Sequence, residues 1–272
     1  MDFKELEKAA NNIRISVIKS IHASGSGHPG GSLSAADIAA ALYFHEMNID
    51  PQNPKMENRD KFILSKGHAG PLQYAALAER GFFPKEELLS LRKMGSRLQG
   101  HPDYKKLPGI EMSTGSLGQG FAASTGMALA NRLDKKESRV YVLLGDGELQ
   151  EGIVWEAAMS AAHYKLDNLV AIIDWNGLQI DGANDDVMTV RPIDEKFKSF
   201  GWNVIMIDGH DFSQITDAFA SARNCKGRPT AVVAKTCKGK GVSFMENNAG
   251  WHGKAPNEEE AKQAVSELGG EW

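Results

Sequence analysis

Cysteine is nearly missing from this chain. The two present, Cys225 and Cys237, have neither the number nor the spacing of a disulfide framework or a metal finger, which fits a reducing compartment. No apolar run approaches the roughly 20 residues of a membrane-spanning helix, and the opening MDFKELEKAANN is too charged for a secretory signal. An excess of either charge is lacking too. With 31 basic residues against 35 acidic ones, a formal balance of -4, nothing points to a nucleic-acid or anionic-membrane surface. There is no Gly-Lys-Ser/Thr phosphate loop, no GxGxxG fingerprint, no internal repeat and no low-complexity tract. A cytoplasmic location is the expectation.

What is present is a chain of 272 residues, 42% hydrophobic, long enough to bury a sizeable core. It is expected to form one α/β domain over 1–272, with an amino-terminal helix and a carboxyl-terminal loop-helix tail. The informative stretch is 139–182, RVYVLLGDGELQEGIVWEAAMSAAHYKLDNLVAIIDWNGLQIDG. Val140 to Leu144 is a short apolar run of the kind buried on both faces of a parallel sheet. Val154, Ala158, Ala161 and Ala162 then recur at helical spacing, and Leu169 to Ile173 opens a second apolar run that ends at Asp174 and Asn176. In such a strand-helix-strand unit a right-handed crossover brings both carboxyl ends to one sheet edge. Asp146 and Asn176, thirty positions apart, then become neighbours. A carboxylate, an amide oxygen and a nearby backbone carbonyl suit Mg2+ or Ca2+, and hold it only if a ligand such as a diphosphate adds oxygens. Gly145 and Gly147 let backbone approach a phosphate, and the helix start after Gly152 offers unpaired amides.

Around this unit, Phe3, Leu6, Ala10, Ile13, Val17 and Ile21 predict an amphipathic first helix. The glycine-rich SGSGHPGGS follows, and Ser34 to Asp37 reads as a capping box for a helix to about His45. Lys61 to Ser65 predicts a strand ending at Gly67-His68, Pro71 to Glu79 a helix, and KEELLSLRKM another. His28, His68 and His101 all sit in loops beside glycine, whereas His22, His45 and His163 lie in helical patterns and read as packed or surface residues. Residues 113–120, STGSLGQG, are either a tight turn with close helix packing or a backbone shelf for a flat heterocycle. Further strands are expected at Val204 to Ile207 and Thr230 to Thr236, and helices at Ile193 to Phe200, after Asp211, and from Pro256 to Leu268. The long loop CKGKGVSFMENNAGWHGKAP reads as a site segment because it carries His252 between Trp251 and Gly253.

GDG followed about thirty residues later by an asparagine resembles the thiamine diphosphate signature. SGHPGG, SKGHAG, GHPD, STGSLGQG, GDGELQEG, NGLQIDG and WHGKAP together resemble, in order, the amino-terminal portion of the transketolase family. That resemblance implies a mostly parallel, doubly wound sheet flanked by helices, with Asp146, Asn176 and the Leu178 carbonyl on the metal. It implies Gly147, His68 and His252 against the diphosphate, and Gly145, Glu148 and Glu156 among the cofactor-binding residues. Gly115, Ser116 and Leu117 would lie against the aminopyrimidine, and His28, His68, His101 and His252 around the reacting carbons. Glu151 and Glu156 would join an interface carboxylate network. Ser116 departs from the proline of many relatives, which touches only local turn geometry.

The family's pyrimidine-binding domain, with the glutamate that protonates the aminopyrimidine and most sugar-phosphate-holding bases, has no counterpart here. The resemblance therefore implies one subunit of a split transketolase, completed as a heterotetramer by a partner chain, or else an isolated fragment. Glycolaldehyde transfer from a ketose phosphate to an aldose phosphate, with ordinary pentose-phosphate sugars, is the expected activity. Other thiamine diphosphate subunits are the alternatives, of the 2-oxo-acid dehydrogenase alpha or deoxyxylulose-phosphate synthase kind, as is a non-catalytic assembly subunit.

Overall fold

The computed structural model describes residues 2–272. Its order is α1 (Phe3–Ser24), α2 (Pro29–Ser34), α3 (Ala36–Ala41), β1 (Lys61–Leu64), α4 (Gly70–Arg80), α5 (Gln119–Leu133), β2 (Val140–Gly145) and α6 (Gly152–His163). There follow β3 (Leu169–Trp175), the short hairpin β4 (Leu178–Gln179) and β5 (Gly182–Ala183), α7 (Asn184–Val187), α8 (Ile193–Ser199) and β6 (Asn203–Asp208). The chain closes with α9 (Phe212–Asn224), β7 (Thr230–Lys235) and α10 (Glu258–Glu267).

Five strands pair in the order β1-β2-β3-β7-β6, every pair parallel. Both faces are covered, as an all-parallel sheet requires. Alternate side chains divide between two cores by the two-residue period of the pleat. Tyr141, Leu143, Val170, Ile172 and Val232 face one way, toward α1, α3, α4 and α9. Val140, Val142, Leu144, Ala171, Ile173 and Val233 face α5, α6 and α8. Because all five strands run the same way, their carboxyl ends meet at one edge. Gly145 stands beside Asp174 in the register, and Asp174 beside Ala234.

Two local expectations differ from the fold. Ser34 caps no helix: α2 already begins at Pro29, whose fixed φ suits a first turn, and Ser34 Oγ instead donates to Asp174 at 2.6 Å. KEELLSLRKM forms only a 3-10 turn over Lys85–Ser90. Leu88, Leu91 and Leu98 are all buried, and Arg92 turns the chain back with φ +59°, so tertiary burial overrides helix propensity.

Close packing explains one glycine of α5 and not another. A Cβ at Gly120 would meet Ser65 Cα at 2.8 Å, whereas one at exposed Gly126 would meet nothing within 4 Å. Gly120→Ala is therefore expected to lose about 1–3 kcal/mol by overpacking, and Gly126→Ala to gain about 0.5–1 kcal/mol of helix stability. Urea denaturation of the two variants checks both signs.

Candidate active site

A buried ion pair anchors the strand ends. Asp174, 0% exposed, accepts from Lys66 Nζ at 2.5 Å, from Ser34 Oγ at 2.6 Å, from Asn176 Nδ2 at 3.2 Å and from Thr236 Oγ1. Lys66, itself buried, also donates to the Gly31 carbonyl at 2.6 Å. Burial alone would push the Asp174 carboxyl up, but the Lys66 ammonium and these hydrogen bonds hold it below the usual carboxylate range.

Above this pair opens a cavity of about 340 Å3, walled by the ends of β1, β2 and β3 and by the loop after β7. Asp146 is buried and accepts the Gly177 amide at 2.5 Å and the Gly147 amide at 2.9 Å. Burial and the neighbouring Asp174 charge raise its pKa to about 6. Asn176 gives its NH2 to Asp174, so its Oδ1 is turned the other way, where it accepts the Leu178 amide at 3.1 Å. The Leu178 carbonyl accepts Lys238 Nζ at 3.0 Å. Lys238 is 2% exposed, and burial lowers its pKa to about 8, with Lys66 adding to the effect. Nothing in the protein packs tightly on the two glycines of GDG. A Cβ at Gly145 would meet Lys66 no closer than 3.7 Å, and one at Gly147 would meet Gln179 at 3.4 Å.

Three imidazoles form the opposite wall. Ring centroids lie 5.2 Å apart for His28 and His68, 5.5 Å for His28 and His252, and 5.1 Å for His68 and His252. Lys238 stands 2.9 Å from His252 Nδ1, and since an ammonium only donates, His252 keeps its proton on Nε2. His28 Nδ1 is buried with no partner. Burial, then the charges of Arg92, His101 and Lys238, lower the His28 pKa to about 4. Burial, then Lys238, lowers His252 to about 3, and burial with Lys66 carries His68 well below its ordinary value. All three are neutral near neutral pH.

The fold thus brings Gly145, Asp146, Gly147, Glu148, Asn176, Leu178, His28, His68, His252, Gly115 and Leu117 to one cavity. His101 is exposed outside that lining, with its ring beside Gly115. Ser116 is exposed and Glu156 lies on the outer face of α6, neither lining the cavity. Glu148 borders it, but its carboxylate is engaged by Ser65 Oγ and by the amides of Gly118 at 2.8 Å and Gly145 at 3.0 Å, a strut between β1, α5 and β2.

The residues from 6 to 271 match the family described as "Transketolase, thiamine diphosphate binding domain". This chain belongs to the transketolase family. It is 46% identical over 264 residues to the 6-deoxy-6-sulfo-D-fructose transketolase subunit SqwG of Clostridium sp. (strain MSTE9), covering 97% of this chain and 96% of that subunit. It is also 46% identical to transketolase of Homo sapiens, covering 97% of this chain but only 42% of the human one. The solved transketolase of Campylobacter jejuni superposes with a TM-score of 0.93 at 35% identity, over 100% of this chain and 44% of that one. The chain therefore spans almost all of a subunit-length transketolase relative and less than half of the longer ones.

Sequence reasoning missed Lys66, Asp174 and Lys238 as parts of this cavity. For Lys66 and Asp174 the available signal was a lone charge at the tip of an otherwise apolar strand, which a buried pair explains better than a solvated turn.

The neutral histidines predict a pH effect. Their folded pKa values lie below the unfolded value near 6.5, so the unfolded chain takes up protons that the folded chain refuses as pH falls. Their contribution to stability is complete above about pH 6.5 and is lost toward pH 4. Asp146 and Glu148, raised by burial, work in the opposite direction. A comparison with His28→Gln isolates the histidine: thermal melts should show wild type losing stability relative to the variant between about pH 6.5 and 4. A gap that stays constant with pH contradicts the assignment.

Proposed function

We propose that this chain is the thiamine diphosphate-binding subunit of a two-chain transketolase, moving a glycolaldehyde unit from a ketose phosphate to an aldose phosphate. The observation that carries the reading is one cavity in which Asp146, Asn176 and the Leu178 carbonyl face three neutral imidazoles and the Lys238 ammonium. Among the described residues no cluster of three or more His, Cys, Asp or Glu side chains could hold a metal alone. The oxygen set nevertheless fits Mg2+ or Ca2+ arriving with a diphosphate, because the cation then draws its remaining ligands from phosphate. The absence of tight packing on Gly145 and Gly147 supports the same fit.

When bound, thiamine diphosphate supplies the electron sink for breaking the bond between ketose carbons two and three. Asp146, Asn176 and Leu178 would hold its metal. A cation on the Leu178 carbonyl would release Lys238 Nζ, leaving that ammonium with Gly147, His68 and His252 to face the diphosphate. Gly115 and Leu117, which line the cavity, would form the shelf for the aminopyrimidine, with Ser116 contributing only its backbone to the turn between them. His28, in the cavity wall, would orient a sugar hydroxyl or accept its proton, and His101 would do the same at the rim. Several neutral imidazoles suit the many hydroxyls of a ketose and have no counterpart need in a 2-oxo acid.

Glu151 and Glu156 are exposed, as an interface carboxylate network facing a partner would be before assembly. That partner would carry the pyrimidine-binding domain and the groups that hold the sugar phosphate, and two copies of each chain would form a heterotetramer. The relative named as a subunit supports the division. A cytoplasmic location suits sugar-phosphate substrates, and no helix among the described residues is long and apolar enough to cross a membrane.

The test combines binding and turnover. Titration calorimetry should show Mg2+-dependent thiamine diphosphate binding that Asp146→Ala abolishes. Sugar transfer should be absent for the chain alone and appear on adding its partner. Retained affinity in Asp146→Ala would remove the metal assignment, and robust turnover by the chain alone would overturn the split-enzyme reading.

A further inference from the structure

A second polar cluster lies behind the cavity, where α1 and α3 meet the turn after β6. His210, in that turn, is only partly exposed. Its Nδ1 lies 2.7 Å from Asp37 Oδ2, and its Nε2 lies 2.9 Å from the Cys237 amide nitrogen. Asp37, 6% exposed, is gripped by the Arg14 guanidinium, with nitrogen-to-oxygen distances of 3.0 Å and 2.5 Å. Burial favours a neutral Asp37, yet the hydrogen bond from His210 and the Arg14 charge hold its pKa below the usual range.

These neighbours leave the ring one state. An ionised carboxylate only accepts, so Nδ1 carries the proton; a backbone amide only donates, so Nε2 is bare. Cys237 opens the loop after β7, and the loop's cavity-facing groups follow at once. Lys238 reaches the Leu178 carbonyl and His252, while the Gly239 amide donates to the Gly30 carbonyl at 3.0 Å and Lys238 O accepts the Asn247 amide at 2.9 Å.

We propose that His210 is a positioning residue for the cavity loop: anchored through Asp37 and Arg14 to α3 and α1, it accepts the Cys237 amide and so sets where Lys238 and His252 stand. It touches none of the groups that line the cavity. Its effect on cofactor affinity rests on the function proposed above, whereas its effect on the loop does not.

Hydrogen exchange of the full chain, read by mass spectrometry, tests the loop directly. His210→Phe should raise exchange across residues 237–252 by roughly tenfold, the scale of one lost net hydrogen bond, with β1, β2 and β3 unchanged. Binding of Mg2+ with thiamine diphosphate should weaken by a similar factor. Conservative variants separate positioning from bulk structure. His210→Gln places an amide oxygen where Nε2 stands and should restore most of the protection; His210→Asn reaches only the Nδ1 position and should not. Unchanged loop exchange in His210→Phe, a rise spread evenly over the sheet, or equal rescue by Asn and Gln would each overturn the proposal. If His210→Phe does not fold, the Gln and Asn pair decides. Should wild type itself fail to bind the cofactor, the function above falls while the exchange contrast still judges His210.

Discussion

The carboxylate of Asp174, sealed at the tip of β3 with the Lys66 ammonium against it, is the interaction on which the rest of the site depends. A buried pair adds little net stability by itself, but removing one member strands a charge in a low-dielectric interior at a cost of about 3–5 kcal/mol. That is a large share of the roughly 5–15 kcal/mol that holds a domain folded. The pair and its hydrogen bonds tie together α2, the end of β1, β3 and the end of β7. Those four segments carry His28, His68, Asn176 and Lys238. Any displacement of one would leave a donor or acceptor of the buried cluster unsatisfied, so the cavity wall is held to a single arrangement.

The same pairing decides the electrostatics above it. Lys66 is paired with Asp174 at 2.5 Å, which leaves Lys238 and the backbone amides as the positive groups facing the cavity, opposite Asp146, with Glu148, Glu151 and Asp181 also along its lining. Burial, followed by the charge of Arg92 at His28, of Lys66 at His68 and of Lys238 at His252, keeps the three rings uncharged. Neutral imidazoles can still accept a proton, which imidazolium ions cannot. The wall therefore sets proton acceptors beside the Lys238 ammonium, a capacity that a cluster of charged histidines would not offer.

Much of this was legible in the sequence because parallel strands buried on both faces read as apolar runs. Val140 to Leu144 and Leu169 to Ile173 located β2 and β3, and their tips located Asp146 and Asn176. Glycine-flanked histidines located His28, His68 and His252, although the same pattern also selected His101, which the fold leaves at the rim. What could not be read depends on register and packing across distant segments. Lys66 lies 108 positions from Asp174, and His210 lies 173 from Asp37, so no local pattern joins them. The hydroxyl of Ser34 shows the ambiguity directly: a serine before a helical run looks like a cap, and only the fold reveals that it answers Asp174 instead.

The sparseness of the oxygen donors has a further consequence. In the proposed site Asp146, Asn176 and the Leu178 carbonyl would offer three first contacts, whereas Mg2+ takes six and Ca2+ six to eight. Without a diphosphate the missing positions would fall to water, and without a cation the diphosphate's charge would stand close to the ionised Asp146. Each ligand thus removes the main obstacle to the other. Free energies of binding are reciprocal, so whatever factor the metal adds to cofactor affinity, the cofactor must add to metal affinity. The raised pKa of Asp146 expresses the same fact from the protein's side: a buried carboxylate beside a second carboxylate is short of positive charge, and Lys238, turned toward the Leu178 carbonyl and His252, does not fully supply it.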